Sequence, residues 1–218
     1  MIDWLLTAWL VIVFPAYSGW RSLRSQKAPS SRAETHLRTV VLGLTPLIVL
    51  AVVWMRENRT IADLGLGPPT QPAALVGLGL SLLVVVGLCV ASLFNKKRPD
   101  DDPQAETMKR MLPQKSAEWP AFIAFCLTVG VAWEVLYRGY LLWFLSPIVG
   151  TVGAVAVASL AYGLAHGVKS WKRAVGSLVM AALFTTGYAV TGSLWWLMLV
   201  HTSLPLLAAL LTVRARGL

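Results

Sequence analysis

The sequence predicts an all-α protein, a polytopic membrane bundle of about seven transmembrane helices that forms a single domain over residues 1–218. Three observations support this fold class: 56% of the residues are hydrophobic, only 13% are charged, and the apolar residues form long runs. A soluble domain usually carries about 25% charged residues. So few polar side chains cannot cover a water-facing globule of this length, which indicates an integral membrane protein.

Seven apolar segments are predicted to be helices, because each is close to the roughly 20 residues that cross a bilayer core. The first is short enough to lie in the membrane interface. No basic run precedes it, so it is predicted to be retained rather than removed as a signal peptide. The segments are Ile2–Tyr17, Thr39–Met55, Pro72–Phe94, Trp119–Leu145, Pro147–His166, Ala174–Thr191 and Leu194–Val213.

The positions of Lys and Arg predict the orientation. Most of the 19 basic residues lie in the first, third and fifth connections and in the C-terminal tail, whereas the other connections hold only Arg56 and Arg59. By the positive-inside rule, the N-terminus is outside and the C-terminus is cytoplasmic. The third connection is predicted to be an exposed cytoplasmic loop with a short interfacial helix near Met108.

The net charge of +9 does not indicate a nucleic-acid-binding protein. The basic residues flank apolar runs instead of forming one face or groove. Cys89 and Cys126 both lie within apolar runs, which is typical of buried small hydrophobic residues rather than of a disulfide or a metal pair.

Four polar side chains lie within or at the edge of apolar segments: Glu134, Arg138, His166 and His201. The third histidine, His36, is placed in the first connection. A charged side chain at mid-membrane costs about 2.5–3.5 kcal/mol on insertion scales, so such residues are candidates for function by default.

The spacing of these residues predicts three helix faces. Glu134 and Arg138 are four residues apart and can pair on one face, which Gly130 extends by a turn. His201 and Pro205 are also four apart, and Pro205 leaves the carbonyl of His201 without its helical donor.

The third face ends at His166. A row of small residues leads to it and predicts close approach of a neighbouring helix. The row consists of Gly150, Ala154 and Ala158, and Tyr162 and His166 continue it at the same spacing.

Structural roles remain open for each residue taken alone. Glu134 and Arg138 can be an ion pair that staples a helix, His166 can be an interfacial histidine bound to a carbonyl, and His201 can be a packing histidine. The set of one carboxylate, one guanidinium and two imidazoles favours chemistry, because imidazole and carboxylate move protons at neutral pH.

In this order the motifs resemble those of the CAAX-protease and bacteriocin-processing (CPBP) family, which includes membrane proteases that act on prenylated proteins. The segment WEVLYRGYLL is similar to the family's Glu-Glu-x-x-x-Arg motif, YGLAH to Phe-x-x-x-His, and HTSLP to His-x-x-x-Asn/Asp. LGLGPP and LPQKSAEW also resemble some bacterial members. The resemblance covers about Leu112 to Leu211.

The resemblance implies a mechanism in which a glutamate, helped by the histidine of the second motif, activates a water to attack a peptide bond. The histidine and amide of the third motif then stabilise the oxyanion. Two histidines and one carboxylate are also a ligand set for Zn²⁺. Because no His-Glu-x-x-His helix is present, the metal-free version is favoured and no cofactor is predicted.

Two positions depart from the family pattern. Trp133 stands where the family has its first glutamate, which is the base, and only the second is kept as Glu134. Adjacent helix residues point about 100° apart, so Glu134 does not occupy the same place without rotation of the helix. Pro205 stands where an amide or carboxylate is expected and offers no side-chain donor.

The sequence therefore predicts a multi-pass intramembrane endopeptidase of a cell membrane, most typical of a bacterial plasma membrane. The predicted substrates are membrane proteins or peptides, CAAX-type ones among them, and the predicted surroundings are a lipid bilayer without nucleic acid. The predicted catalytic residues are Glu134, His166 and His201, supported by Arg138 and Tyr162.

Two other function classes stay open. Trp133 and Pro205 are compatible with a catalytically inactive family member that binds a membrane partner or confers bacteriocin immunity. A small transporter with Glu134 and Arg138 in its substrate path is less favoured, because no internal repeat is detectable.

Overall fold

The computed structural model describes residues 1–24, 31–94, 111–167 and 171–216. Within these residues the regular secondary structure is helical and no strand occurs, which confirms the predicted all-α class. The predicted interfacial helix near Met108 lies outside the described residues. Eight α-helices are described: α1 Ile2–Ala8, α2 Phe14–Arg24, α3 Arg32–Arg56, α4 Pro72–Phe94, α5 Trp119–Leu127, α6 Leu141–Ala165, α7 Trp171–Thr191 and α8 Trp195–Arg216.

Six helical stretches of the described chain are long and apolar enough to cross a membrane. The first is helical from Ile2 to Arg24, 23 residues in all, so the N-terminal segment reaches the length of a span. The predicted count of seven and the predicted orientation stay predictions. The stretches are Ile2–Arg24, Arg32–Arg56, Pro72–Ala91, Ser116–Ala165, Ala174–Thr191 and Trp195–Thr212.

The longest stretch, Ser116–Ala165, contains the fourth and fifth predicted segments and is broken inside α6. Gly150 has φ 74° and ψ 161°, a backbone region that is essentially restricted to glycine. The break therefore divides α6 into two helical parts, and it follows Pro147 closely.

The predicted row of small residues is only partly a helix face. Gly150 was expected to begin it, but a Cβ there would meet nothing within 4 Å, so this glycine serves the backbone break and not helix packing. Ala154 and Ala158 are buried, as the row predicts.

In the described residues, three π-helical segments lie between α-helical ones: Trp9–Val13, Thr128–Ala132 and Val135–Tyr140. The last two enclose Glu134. A π-helical turn widens the helix and changes the direction of the side chains that follow, and such turns are frequent at functional sites. The segment from Val135 to Tyr140 is buried throughout, so the motif region forms the centre of the bundle.

His36 is placed differently from the expectation. It lies within α3 and not in a connection, and it is only 1% exposed. Its Nε2 donates to the carbonyl of Met111 at 2.9 Å, and its ring packs on Phe122 and Phe125. The prediction that His36 lies in a connection was wrong, because α3 begins at Arg32 and its first turns contain the polar residues before Thr39.

The loop after α3 contacts the start of α8. The backbone amide of Leu194 donates to the carbonyl of Gly65, and the indole of Trp195 donates to the carbonyl of Gly67, each at 2.9 Å. Gly65 has φ 73°, which favours glycine. These contacts fix the beginning of the helix that carries His201.

Candidate active site

Glu134 and Arg138 form an ion pair in the centre of the bundle. Arg138 Nη1 lies 3.1 Å from Glu134 Oε1, and both side chains are fully buried. Their spacing of one helical turn predicted this pair, which the structure contains.

His201 joins the pair from α8. Its Nδ1 lies 2.8 Å from the same Oε1 of Glu134. The approach of α8 depends on Gly130, where a Cβ would lie 1.9 Å from Thr202 Oγ1 and 2.7 Å from the backbone nitrogen of that residue. Glu134, Arg138 and His201 are called the buried ion cluster below.

Tyr162 covers the buried ion cluster on the side of α6. The guanidinium carbon of Arg138 lies 3.9 Å from the centre of the Tyr162 ring, which is a cation–π contact. Glu134 Oε2 and Arg138 Nη2 are buried and have no hydrogen-bond partner among the described residues. Buried charges of this kind are costly, and functional sites are where proteins retain them.

His166 lies at the end of α6 and is exposed. Its Nδ1 is 2.9 Å from the carbonyl oxygen of Tyr162, one turn earlier. Because a carbonyl oxygen only accepts, this bond assigns the proton of the neutral imidazole to Nδ1 and leaves Nε2 as an acceptor.

A cavity of about 410 Å³ opens beside His166. It is called the His166 cavity. Aromatic side chains form much of its wall, namely Phe14, Tyr17, Phe125, Trp133, Tyr137 and Tyr162. Its polar groups include Ser18, Arg21 and His166, and none of the described residues that line it carries a carboxylate.

Adjacent residues of the first motif face different places. Trp133 lines the His166 cavity, whereas Glu134 does not and is fully buried in the ion cluster. Trp133 stacks on Phe14 with ring centroids 4.7 Å apart, so the N-terminal helix holds the indole in place. The position where the family resemblance expects the base therefore faces the cavity, and it carries an apolar ring.

The structure brings the three predicted catalytic residues into one region. His201 contacts Glu134 directly, and His166 lies against the ring of Tyr162, with ring centroids 4.6 Å apart, the same ring that contacts Arg138. The resemblance pairs the glutamate with the histidine of the second motif, but the side chain in contact with Glu134 is His201 of the third. Pro205 follows one turn later within α8.

Residues that could hold a metal are not grouped in the described part of the chain. No set of three His, Cys, Asp or Glu side chains lies close enough there to bind one ion. His201 contacts Glu134 directly at 2.8 Å, and Arg138 occupies the same carboxylate oxygen. A cation at Oε1 would therefore have to displace a guanidinium.

Sequence reasoning missed another ion pair, between Asp3 and Arg59. Arg59 donates two hydrogen bonds to the carboxylate of Asp3, at 2.9 and 2.8 Å. This hydrogen bonding raises the pKa of the Arg59 guanidinium above its ordinary value. The signal was available, because Asp3 begins the first apolar segment and Arg59 follows the second, and both are predicted on the outer side.

The Asp3–Arg59 pair is tied to the motif region by aromatic rings. The Arg59 guanidinium lies 4.6 Å from the centre of the Trp143 ring and 5.2 Å from that of Trp54. The hydroxyl of Tyr140 donates to the backbone carbonyl of Asp3 at 2.7 Å. The first helix is therefore anchored to the π-helical segment that carries Arg138.

Comparison with known proteins finds a family match for residues 115–207 of the chain. Residues 115–207 match the family model described as type II CAAX prenyl endopeptidase, Rce1-like. The predicted family resemblance is thus confirmed over this region. No curated protein and no solved structure matches the chain. Together with the six long apolar helices, the family match identifies a multi-pass membrane protein.

Proposed function

We propose that the chain is an intramembrane endopeptidase that hydrolyses peptide bonds of membrane-associated substrates, CAAX-type peptides among them. One observation carries this proposal: His201 contacts Glu134 at 2.8 Å, and the ring of Tyr162, which contacts Arg138, also contacts the ring of His166. The family match over residues 115–207 includes all three. No metal or other cofactor is part of the proposal.

The tautomer of His166 supports a route for the proton in the proposed reaction. Nε2 of His166 accepts a proton from a water in the His166 cavity while the water oxygen attacks the carbonyl carbon of the scissile bond. The negative charge of Glu134 stabilises the imidazolium that forms, and the carboxylate is held in place by Arg138 and His201. His166 then gives the proton to the leaving nitrogen as the C–N bond breaks, which leaves an acid and an amine.

The departures from the family pattern predict slow cleavage. His201 is engaged by Glu134, and Pro205 has no donor, so the third motif supplies little stabilisation to the oxyanion. Loss of one oxyanion donor typically costs about 10²–10³ in kcat. We therefore expect a measurable but slow peptidase.

A second candidate function is a catalytically inactive member that binds a membrane partner or confers bacteriocin immunity. The placement of Trp133 favours it, because an indole lines the cavity where a base is expected and Glu134, the neighbouring carboxylate, is fully buried. Under this alternative the ion cluster only stabilises the bundle.

One experiment separates these two functions. The full chain is reconstituted in nanodiscs, and cleavage of prenylated and unprenylated peptides is followed by mass spectrometry. Variants Glu134→Gln and His166→Ala should abolish cleavage, whereas the matched control Glu57→Gln, which changes an exposed carboxylate, should retain it. If Glu134→Gln and His166→Ala cleave as fast as the wild type, the site assignment is wrong.

A revertant completes the comparison. Trp133→Glu combined with Pro205→Asn restores the two family residues. An inactive wild type with an active revertant supports the second candidate, whereas an active wild type whose rate rises in the revertant supports the peptidase.

A further inference from the structure

A second apolar space lies beside the His166 cavity. This groove of about 440 Å³ is formed by the N-terminal helix and α3. Leu5, Trp9 and Val49 are among its lining residues, and none of the described residues that line it is charged. It is called the Trp9 groove. Leu42 lines both spaces, so the two are neighbours.

A stack of three rings lies between the two spaces. Trp9 lines the groove, whereas Phe14 and Trp133 line the cavity. The ring centroids of Trp9 and Phe14 are 5.1 Å apart at 24°, and those of Phe14 and Trp133 are 4.7 Å apart at 26°. These rings and Leu42 therefore form the wall that ends the His166 cavity on this side.

The other side of the cavity carries positive charge. Arg21 lines it together with Ser18 and His166, and no described carboxylate lies within ion-pair distance of Arg21. Arg38 lies near the same side, with its guanidinium 5.6 Å from the ring of Tyr17. A guanidinium binds phosphate through charge-assisted hydrogen bonds.

The cavity is thus apolar and aromatic inside and cationic on one side. Its volume of about 410 Å³ is within the usual range for small-ligand sites, about 300–1,000 Å³. A ligand that matches both features has one hydrocarbon chain and an anionic head. A two-chain phospholipid does not match, because the wall closes the cavity off from the groove.

We propose that the His166 cavity binds a single-chain anionic phospholipid, with the phosphate at Arg21 and the chain directed toward the Trp133–Phe14 wall. The wall sets the longest chain that the cavity accepts, so Trp133 and Phe14 determine chain-length specificity. This binding does not depend on the peptidase function, since it uses neither the buried carboxylate nor proton transfer. A bound lipid would compete with any peptide for the same cavity.

The test uses alkyl phosphates of two lengths, dodecyl and hexadecyl, each with a photoreactive diazirine at the end of the chain. The full chain in phosphatidylcholine nanodiscs is irradiated with each probe, and labelled residues are mapped by mass spectrometry. In the wild type, the dodecyl probe should label the cavity wall, and the hexadecyl probe should label it much less.

Two variants enlarge the cavity and one removes the charge. Trp133→Ala and Phe14→Ala should raise hexadecyl labelling to the level of dodecyl and move part of the label to the groove, on residues 41–49. Arg21→Gln should lower labelling by both probes by about tenfold, the equivalent of one charge-assisted hydrogen bond, without changing their ratio. The control Trp171→Ala, which alters an exposed indole, should leave both unchanged.

Three outcomes would overturn the proposal. The first is that both probes label the wild type equally. The second is that Arg21→Gln does not lower the labelling. The third is that the exposed face of α4 is labelled as densely as the cavity. The last would indicate bulk lipid contact only. Because Phe14 and Trp133 belong to different helical segments, the same change in both variants argues against a local folding defect in either one.

Discussion

The Nδ1 atom of His201 lies 2.8 Å from Oε1 of Glu134, although the two residues belong to different helices and different motifs. The same oxygen is 3.1 Å from Arg138 Nη1. One carboxylate oxygen at the centre of the bundle therefore contacts both a guanidinium and an imidazole. The following predictions test this arrangement and the packing around it.

Removal of the carboxylate should be strongly destabilising. Glu134→Leu leaves Arg138 buried without a counter-ion, which is expected to cost about 3–5 kcal/mol of unfolding free energy. The double variant Glu134→Leu/Arg138→Leu should recover most of that loss, since no charge then remains unpaired. Unfolding by SDS titration in mixed micelles measures both. A double variant no more stable than Glu134→Leu would show that the pair is not the source of the loss.

Glycine is required where α8 crosses the first motif. Gly130→Ala places a methyl group 1.9 Å from Thr202 Oγ1 and 2.7 Å from its backbone nitrogen, and such overpacking typically costs about 1–3 kcal/mol. Adding Thr202→Ala to Gly130→Ala should recover only part of the lost unfolding free energy, because the clash with the backbone nitrogen of residue 202 remains. The matched control is Gly79→Ala in α4, where a Cβ meets nothing within 4 Å and replacement should stabilise by about 0.5–1 kcal/mol. If Gly130→Ala and Gly79→Ala changed the unfolding free energy equally, the close approach of α8 to Gly130 would be contradicted.

The Asp3–Arg59 pair should contribute measurable stability. Both side chains are mostly buried, with 18% and 16% exposed, and the contact is bidentate. A double-mutant cycle of Asp3→Asn and Arg59→Gln is expected to give a coupling energy of about 1 kcal/mol, at the upper end for partly exposed pairs. Arg59→Lys keeps the positive charge but cannot donate two parallel hydrogen bonds to the carboxylate, so it should lose most of the coupling energy with Asp3. A coupling near zero would mean that the pair does not hold the N-terminal helix.

The break at Gly150 should tolerate no side chain without strain. Gly150→Ala is expected to cost about 1–3 kcal/mol, because φ 74° with ψ 161° is nearly restricted to glycine. The surrounding space is open, so the cost comes from the backbone alone. Gly176→Ala is the control, since that helical glycine also has open space around it. The same SDS titration compares the two, and an unchanged Gly150→Ala midpoint would contradict a fixed break.

Hydrophobic patterning was sufficient for the fold class. Long apolar runs predict membrane-spanning helices, because the backbone groups of a segment in lipid must hydrogen-bond to one another and a helix pairs them within the segment. The spacing of Glu134 and Arg138 likewise predicted their contact, since residues four apart share a helix face. His36 was misplaced because polar residues at a helix start look like a connection in the sequence.

The sequence by itself determined the membrane helices, the intramembrane polar residues and the order of the motifs, since these follow from local composition and periodicity. Only the tertiary structure decided which histidine contacts Glu134, and that Trp133 rather than Glu134 faces the cavity. Those relations depend on helix rotation at the π-helical segments and on the approach of α8 at Gly130. Packing between distant segments sets both, and no local pattern encodes them.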